Sequence, residues 1–549
     1  MKKAAVYILL WGTIGIGTAF ADPNKLAKDL KGTQVTGPIN VIVQRKSLLA
    51  GGTLQLTGHT LKSLHLIGAD LEQVDASALD ALSDDPDVIY VTPDRSVGAS
   101  YDHYEYAVNA PAAWARNLNG NGVTVAVIDS GIADGPDISP PVYRQSFVGL
   151  NKDPYGHGTH VAGILAGNGK SSKGAFAGMA PGVRLVDLQV LDAQGGSTDS
   201  TIVLAIEAAI ALQPVYNIKV INLSLGRPIQ ESYKQDPLCM AVEQAWKAGI
   251  TVVVAAGNMG RLGYATILSP ANDPTVITVG AMRPMGTDAR GDDLVASYSS
   301  KGPTAIDGIV KPDLVAPGNQ VISVLSNGST LAQEFPANVV NPSVYGGSGQ
   351  PNYLTLSGTS MAAPVVSGAV ALLLNQNPGL TPDTIKARLM KTAYKVFPAQ
   401  STVMDGGASY VSYYDALTIG AGYLDIAAAL ANSDVATSPA LSPSVNYDSS
   451  QGRMYLVDAS SALWGSSAMW GDSTVWGSNV VAPVSGTSAM WGSSAMWGNS
   501  AMWGSSAMWG SSAMWGSSAM WGNSAMWGSS AMWGSSAMWG SSISGIGEP

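Results

Sequence analysis

Cysteine is almost absent from this sequence. Its 549 residues include one, Cys239, which excludes an intrachain disulfide and a metal site built from several thiolates. The residues around it, DPLCMAVEQ, include no base that could activate a thiol, so a buried and inert cysteine is the simplest interpretation. Stability must therefore come from the hydrophobic core, with bound ions as a further source.

Charged residues are also scarce. Asp, Glu, Lys and Arg make up 12% of the chain, hydrophobic residues make up 46%, and the net charge is −10. This composition allows a large core and is typical of a globular protein. The negative sign argues against nucleic acid or anionic membranes as partners. The length predicts several domains rather than one.

Long hydrophobic runs are missing beyond the N-terminus. No later stretch stays apolar for about 18 residues, so the sequence predicts no transmembrane anchor. The first 21 residues instead have the three parts of an export signal. Lys2 and Lys3 supply the charged start, residues 4–18 the apolar stretch, and residues 19–21 an A-x-A cleavage site. We therefore expect residues 1–21 to be a signal peptide and the mature protein to be secreted.

The rest of the chain changes pattern near residue 100. Residues 22–100 combine strand-like runs with a short helical segment, a small α+β pattern, whereas residues 101–431 alternate short apolar runs with helical segments. Runs such as VTVAVID and ITVVVAAGN lack polar alternation, which is typical of strands buried on both faces. The expected fold class is α/β, with a mostly parallel β-sheet flanked by helices and its functional residues beyond the carboxyl ends of the strands.

The C-terminal part is unusual in composition. Residues 432–458, rich in Ser, Pro, Asn and Asp, are interpreted as a linker; residues 459–543 carry hexapeptide repeats, mostly SSAMWG, ahead of a short end, 544–549. A period of six is even, so an extended chain places every repeat tryptophan on one side, whereas a helix spreads them over three faces. Two interpretations stay open: stacked β-strands that bind a surface, a glycan or another tail, and a poorly ordered repeat without a specific ligand.

Histidine is rare as well, with five in the chain. His157 and His160 lie in the segment GHGTHVAGILAG, which predicts a loop entering a helix, with His157 at the exposed start and His160 packed one turn on. A zinc pair is disfavoured, because helical zinc ligands in hydrolases are spaced i and i+4 around a glutamate. His157 is therefore the candidate base, and metal ligands stay unassigned.

Three further side chains are candidates for a site with His157. Asp129 ends the strand VTVAVID, where it could orient an imidazole or be an ordinary turn aspartate. Ser360, in SGTSMAAPVV, lies near a helix start that favours developing negative charge; the alternative is an N-cap serine. Asn258 ends the strand VVVAAGN, and its amide can donate to an oxyanion together with the Ser360 N–H, unless it is only a turn residue.

Five segments, VAVIDSGI, GHGTHVAGILAG, INLSLG, VAAGN and SGTSMAAP, together resemble the subtilases, the subtilisin-like serine peptidases, over about residues 101–430. The resemblance implies a serine endopeptidase that works through an acyl-enzyme. It implies Asp129 as orienting acid, His157 as general base and acid, Ser360 as nucleophile and Asn258 as oxyanion donor. No cofactor is needed for this chemistry, and structural calcium is left open. One departure is Val365, where the family usually has histidine; we expect it to change packing rather than catalysis.

The resemblance also implies a substrate groove. Two segments resemble the walls of the family's first specificity pocket, and their uncharged residues favour an apolar or tolerant side-chain preference: Ser224, Leu225, Gly226, Ala255, Ala256 and Gly257. Extended backbone at such small residues can pair with a peptide substrate.

The N-terminal region has a counterpart in the same family. Residues 22–100 resemble the inhibitory propeptide, which implies a zymogen inhibited by its own propeptide and cut between about residues 94 and 103. The alternative function is an inactive protease scaffold that acts as a surface or binding protein through its tryptophan repeats. In either case the tail could retain the secreted protein at the cell surface.

Overall fold

The computed structural model describes residues 25–27, 30, 38–46, 58–94, 104–150, 152–448, 453–457, 480–483 and 548. The chain divides into two compact units, Met1–Ala99 and Ser100–Pro549. The predicted signal peptide and the tryptophans of the repeats lie outside the described residues, so both assignments stay predictions.

The first unit is a small α+β structure. Its elements are β1 (Pro38–Arg45), β2 (Gly58–Leu64), β3 (Ala69–Asp75), α1 (Leu79–Asp84) and β4 (Val88–Pro93). The four strands form an antiparallel sheet in the order β2-β3-β1-β4, and α1 packs on β4. Valines of β1, β3 and β4 share a small core of their own. β1 and β4 coincide with two of the strand-like runs that the sequence of residues 22–100 contains, INVIVQ and DVIYVTP.

The second unit is built on a mostly parallel sheet. Its strands are β5 (Thr124–Asp129), β6 (Tyr143–Ser146), β7 (Arg184–Gln189), β8 (Ile218–Leu223), β9 (Thr251–Ala255), β10 (Ile277–Arg283), β11 (Leu294–Val295) and β12 (Leu314–Pro317). They lie in the order β11-β10-β9-β8-β5-β7-β6, with β12 also paired to β10. Every pair in this sheet is parallel except β10 with β11. The predicted α/β fold class is confirmed.

Helices cover this sheet. They are α2 (Tyr104–Ala107), α3 (Pro111–Trp114), α4 (His157–Ala166), α5 (Asp199–Tyr216), α6 (Pro237–Lys247), α7 (Thr330–Glu334), α8 (Thr359–Gln376), α9 (Pro382–Thr392), α10 (Ala416–Ile419) and α11 (Ile426–Ala431). α4 packs on α8 and α5 packs on α6, and all four contact the sheet. Every residue of β5 and β9 is consequently buried, which explains why these strands lack polar alternation.

The strand order places a switch point at β5. The chain continues from β5 to β7 on one side, and later returns to place β8 on the other side. In open parallel sheets such a reversal leaves a crevice beyond the carboxyl ends of the strands. Asp129 is the last residue of β5, so the fold puts its carboxylate at this crevice.

α8 is the central helix of the unit. Its residues from Thr359 to Leu374 are all buried, Val365 among them with no exposed surface. By length and composition, α8 and α5 would each suffice to cross a membrane. α8 is instead a core helix, and α5 packs on α6 and the sheet.

Smaller sheets complete the second unit. β13 (Val321–Val324) pairs with β14 (Tyr353–Leu356), β15 (Gln400–Asp405) pairs with β16 (Ala408–Tyr413), and β17 (Ser444–Asp448), β18 (Arg453–Val457) and β19 (Val480–Pro483) form a three-stranded antiparallel sheet. β17 and β18 lie inside residues 432–458, where the composition predicted a linker. This segment is held to the body of the unit because Val310 N–H donates to Pro443 and Val445 N–H donates to Gly308, each at 2.8 Å.

Cys239 is fully buried and free, which confirms the prediction that this cysteine is buried. Burial raises the pKa of the thiol far above its usual range, and the nearby charges of Asp236 and Asp273 add to this effect. A thiolate therefore does not form here at neutral pH.

Candidate active site

Asp129 is fully buried at the carboxyl end of β5. Its Oδ1 accepts a hydrogen bond from the Ser130 backbone N–H at 2.7 Å. The chain then turns sharply at Gly131, where φ is +105° and an added Cβ would lie 2.2 Å from the carbonyl oxygen of Lys152. A side chain fits neither this backbone conformation nor the space available, so position 131, two residues after Asp129, requires glycine.

His157 is the first residue of α4, and its Nδ1 lies 2.7 Å from Oδ1 of Asp129 with both side chains buried. The approach depends on Gly158, whose added Cβ would lie 2.2 Å from the carbonyl oxygen of Gly131. The Gly158 N–H donates to Ser130 Oγ at 2.8 Å, which fixes the helix start against the strand end. A carboxylate can only accept, so the neutral imidazole carries its proton on Nδ1 and leaves Nε2 as an acceptor.

The surroundings of His157 favour its charged form. Burial lowers the pKa of the imidazole, but the charge of Asp129, the hydrogen bond to it and the charge of Asp153 outweigh burial, so the pKa lies above its ordinary value of 6.5. Nε2 has no hydrogen-bond partner among the described residues. The ring lines a cleft that Ser360 also lines, so the acceptor atom is available to chemistry in that cleft.

Asp153 holds the loop before α4, and sequence reasoning missed it. Its Oδ1 accepts from Ser130 Oγ at 2.8 Å and from the Gly156 N–H at 2.7 Å, and its Oδ2 accepts from the Thr159 N–H at 2.8 Å. Burial raises the pKa of Asp153 to about 6 although these hydrogen bonds oppose the shift. The Asp-Pro pair at 153–154 signals a turn, but nothing in the sequence pattern links it to Ser130.

Ser360 is the second residue of α8 and is 7% exposed. The N-cap position belongs to Gly358, so the alternative interpretation of Ser360 as an N-cap serine is wrong. Its Oγ donates to the carbonyl oxygen of Ser224 at 3.2 Å, and Ser224 Oγ donates to the Ser360 carbonyl at 2.8 Å. The hydroxyl thus contacts the main chain of Ser224, which lines the cleft, and His157 lines the same cleft.

Asn258 follows β9 and has a defined orientation. Its Oδ1 accepts from the Thr359 N–H at 2.8 Å and from Thr359 Oγ1 at 3.0 Å, so the oxygen end of the amide points at the start of α8. The Gly257 N–H donates back to Thr359 Oγ1 at 3.1 Å. Nδ2 is then the donor end of an amide that lines the cleft beside Ser360.

The cleft is open to solvent, and the space within and in front of it amounts to about 320 Å³. His157, Asn258 and Ser360 line it. Five of the six predicted pocket residues line it as well: Ser224, Leu225, Gly226, Ala255 and Gly257. Ala256 is not among the lining residues; its N–H donates to Val279 in the sheet and its carbonyl accepts from Leu268.

Leu268 also lines the cleft and was not predicted. An added Cβ would lie 3.0 Å from Leu268 Cβ at Gly226 and 2.6 Å from Leu268 Cγ at Gly257. Glycine on both walls therefore makes room for this leucine between them. The segment ATILSPAND that contains it resembles an ordinary turn-flanked apolar run, so no local signal marks it.

His160 packs as predicted, with Nε2 2.9 Å from the Leu354 carbonyl oxygen. Burial lowers its pKa to about 3, so the ring is neutral at ordinary pH. Among the described residues no group of three or more His, Cys, Asp or Glu side chains is arranged to hold a metal ion. Structural calcium therefore stays a prediction.

This chain is similar in sequence to several known proteins. A model described as the Subtilase family matches residues 120–420. The chain is 39% identical over 375 residues to "Serine protease AprX" of Bacillus subtilis (strain 168), which covers 66% of this chain and 82% of that protein. It is 34% identical over 345 residues to "Subtilisin E" of the same strain, covering 61% of this chain and 78% of that protein. A solved structure of a cold adapted subtilisin-like serine proteinase matches at 30% identity and a TM-score of 0.38, over 50% of this chain and 84% of that chain.

Proposed function

The chain belongs to the subtilase family of serine proteases, and from that premise we propose that it is an exported endopeptidase, made as a zymogen, with Asp129, His157 and Ser360 as its catalytic triad. One observation carries the proposal: the buried 2.7 Å contact between Asp129 Oδ1 and His157 Nδ1 leaves Nε2 as the available nitrogen. That nitrogen belongs to a ring that shares a cleft with the Ser360 hydroxyl.

The chemistry follows from these positions. When Ser360 Oγ turns from the Ser224 carbonyl towards Nε2, His157 takes its proton as the oxygen attacks the carbonyl carbon of the substrate. Asp129 stabilises the imidazolium that forms. The Asn258 amide and the Ser360 backbone N–H donate to the oxyanion of the tetrahedral intermediate. His157 then gives its proton to the leaving amine, and a water molecule hydrolyses the acyl-enzyme by the same steps in reverse order.

Substrate selection in this proposal depends on the two backbone walls of the cleft. Residues 224–226 and 255–257 offer main-chain groups to an extended peptide. Leu268 lies between the glycines of these walls, and His157 is the only ionisable side chain that lines the cleft among the residues that the structure describes. We therefore expect a preference for apolar side chains on the acyl side of the cleaved bond.

The export and zymogen parts of the proposal depend on the N-terminal residues. Residues 1–21 have the composition of an export signal. Residues 22–100, which resemble the inhibitory propeptide, contain a compact α+β body with its own core. Its removal is the maturation step that the zymogen requires, and no cofactor enters the proposed chemistry.

A phosphonofluoridate probe tests the proposed nucleophile. Such a probe reacts with a serine that a neighbouring base activates: the Oγ–P bond forms, fluoride leaves, and the serine proton passes to the base. We expect peptide mass mapping of the processed protein to find the adduct on Ser360. Ser224, whose hydroxyl donates to the Ser360 carbonyl at 2.8 Å, is an internal control that stays unmodified. A processed protein without adduct on Ser360 would favour the inactive scaffold.

The pH dependence of peptide cleavage tests the role of His157. General-base catalysis needs the neutral imidazole, so kcat/KM rises with pH through the pKa of His157 in the free enzyme. Since Asp129 and Asp153 hold that pKa above 6.5, we expect the half-maximal point of the acid limb above pH 6.5. The measurement uses a peptide substrate without ionisable groups near pH 7. An acid limb centred below pH 6.5 would contradict the assignment.

A further inference from the structure

Glu548, one residue before the end of the chain, is buried in the second unit with 1% of its surface exposed. Its Oε1 and Oε2 accept from the Ser297 backbone N–H at 2.9 and 3.1 Å, and Oε1 also accepts from Ser297 Oγ. The guanidinium of Arg261 donates to Oε1 at 3.0 Å. A buried carboxylate is unfavourable unless it is paired and hydrogen-bonded, and these groups meet both conditions.

The backbone of Glu548 is recognised as well. Its N–H donates to Asn319 Oδ1 at 2.9 Å, and its carbonyl oxygen accepts from Asn319 Nδ2 at 3.1 Å and from Gln320 Nε2 at 2.9 Å. One asparagine side chain thus pairs with both main-chain groups of the same residue. Such contacts fix the position of a peptide, whereas the carboxylate contacts select its side chain.

The receiving residues are held in place by contacts that do not involve Glu548. Arg261 donates to Asp405 at 2.6 Å and to Ser297 Oγ at 2.9 Å, and its guanidinium lies 4.4 Å from the centre of the Tyr410 ring. The Tyr298 hydroxyl, next along the chain from Ser297, donates to the Gly318 carbonyl at 3.0 Å. A site that is ordered before its ligand arrives loses less entropy on binding.

We propose that Arg261, Ser297, Asn319 and Gln320 form a binding site for an acidic peptide, and that its ligand is the C-terminal end of this same chain through Glu548. The tryptophan repeats from Trp491 to Trp539 lie between β19 and Glu548. With β19 in the three-stranded sheet and Glu548 in this site, both ends of the repeat segment are attached to the second unit. The chain between these two attachment points is therefore closed at both ends, which we call a closed loop, and is not a free tail.

The intramolecular connection favours the chain's own end over other acidic peptides. A tethered ligand competes at an effective concentration in the millimolar range for short flexible connections, lower for longer ones. A second copy of the chain could supply the same Glu548 chemistry, which would exchange tails between molecules and make a dimer. The oligomeric state of the full chain separates the two arrangements.

Hydrogen exchange on the full chain, inactivated with the phosphonofluoridate probe or an equivalent protease inhibitor, tests the site. In Glu548→Ala the Ser297 N–H loses its acceptor, so we expect its exchange to become at least about tenfold faster, as for a lost hydrogen bond to a charged group. Glu243→Gln is the matched control, because it removes a glutamate from an exposed pair with Lys247; exchange at Ser297 should stay unchanged there. Equal exchange at Ser297 in wild type and Glu548→Ala would overturn the proposal.

A peptide added in trans distinguishes the loss of the Glu548 contacts from misfolding of the variant. The peptide Gly-Ile-Gly-Glu-Pro should restore the slow exchange of Ser297 in Glu548→Ala, and the same peptide with Gln for Glu should bind about 10- to 100-fold more weakly. The proposal would be overturned if the two peptides bound equally well or if neither of them bound. Sedimentation completes the test: we expect a monomer, and a dimer that Glu548→Ala abolishes would overturn the closed loop in favour of exchanged tails.

Discussion

Ser360→Ala will abolish peptide hydrolysis by this protein, with kcat lower by about 10⁶-fold, a magnitude taken from the equivalent loss in a subtilisin rather than derived from this structure. The substitution removes the hydroxyl oxygen that we propose as the nucleophile, while the Asn258 amide and the start of α8 remain. The residual rate then comes from oxyanion stabilisation and substrate binding alone. To measure kcat, cleavage of a peptide substrate is followed over long times. The protein concentration is determined by a method that does not depend on the active site.

The same variant tests maturation. If the protein removes its own propeptide, Ser360→Ala should be recovered with residues 22–100 still attached, as judged by intact mass. Ser367→Ala is the matched control, since Ser367 lies two turns further along α8 and its buried hydroxyl donates to Asn222 at 2.8 Å. It should mature and cleave peptide. Hydrolysis by Ser360→Ala at more than about a thousandth of the wild-type rate would contradict the proposed nucleophile.

The parallel sheet could be predicted because its signal is local. VTVAVID and ITVVVAAGN are apolar at every position, and the structure buries every residue of β5 and β9. Such runs are compatible with a sheet covered on both faces and not with a half-exposed one. The position of Asp129 at a strand end and of His157 at a helix start followed from the same local patterns.

Contacts between distant segments could not be predicted in the same way. Ser297 and Glu548 are 251 positions apart, and neither lies in a periodic run that points to the other. The hydrogen bond from Ser360 Oγ to the Ser224 carbonyl depends on how α8 sits against the end of β8. Leu268 enters the cleft only because glycines at 226 and 257 leave space on both sides. Each of these is a product of packing, for which a single sequence carries no pattern.

The predicted linker shows a second reason why parts of the structure could not be predicted from the sequence. Composition marked residues 432–458 as polar and rich in proline, which is typical of exposed connections. Ser442 is nevertheless buried, and its Oγ donates to the carboxylate of Asp313 at 2.5 Å. Polar residues can be buried when their hydrogen bonds are satisfied by a partner elsewhere in the chain. Composition reports the average tendency of a segment and not the presence of such a partner.

Asp129→Asn should lower kcat by about 10⁴-fold, the loss known for this replacement in a serine protease of a different fold. Oδ1 of Asp129 contacts both the Ser130 N–H and Nδ1 of His157. An amide can keep its oxygen at this position, which preserves both hydrogen bonds, or place its NH₂ there, which gives up the hydrogen bond from Ser130 and donates to Nδ1. The second arrangement makes Nδ1 the acceptor and places the imidazole proton on Nε2. A protonated Nε2 cannot take the proton of Ser360, so the base is lost in every molecule that adopts this second arrangement.

The pH profile distinguishes this tautomer effect from general damage. Without the Asp129 charge, burial lowers the pKa of His157 and only Asp153 among the named carboxylates opposes it, so the acid limb of the residual activity should move to lower pH. Asp187→Asn is the matched control, because Asp187 is buried on β7, accepts from the Ile132 N–H at 3.1 Å, and has a pKa raised by burial to about 7. Since a pKa of about 7 leaves that carboxyl about half neutral near pH 7, the amide changes its charge only in part and should leave both kcat and the acid limb close to wild type. An Asp129→Asn protein that retains its acid limb and loses less than tenfold in kcat would remove Asp129 from the triad.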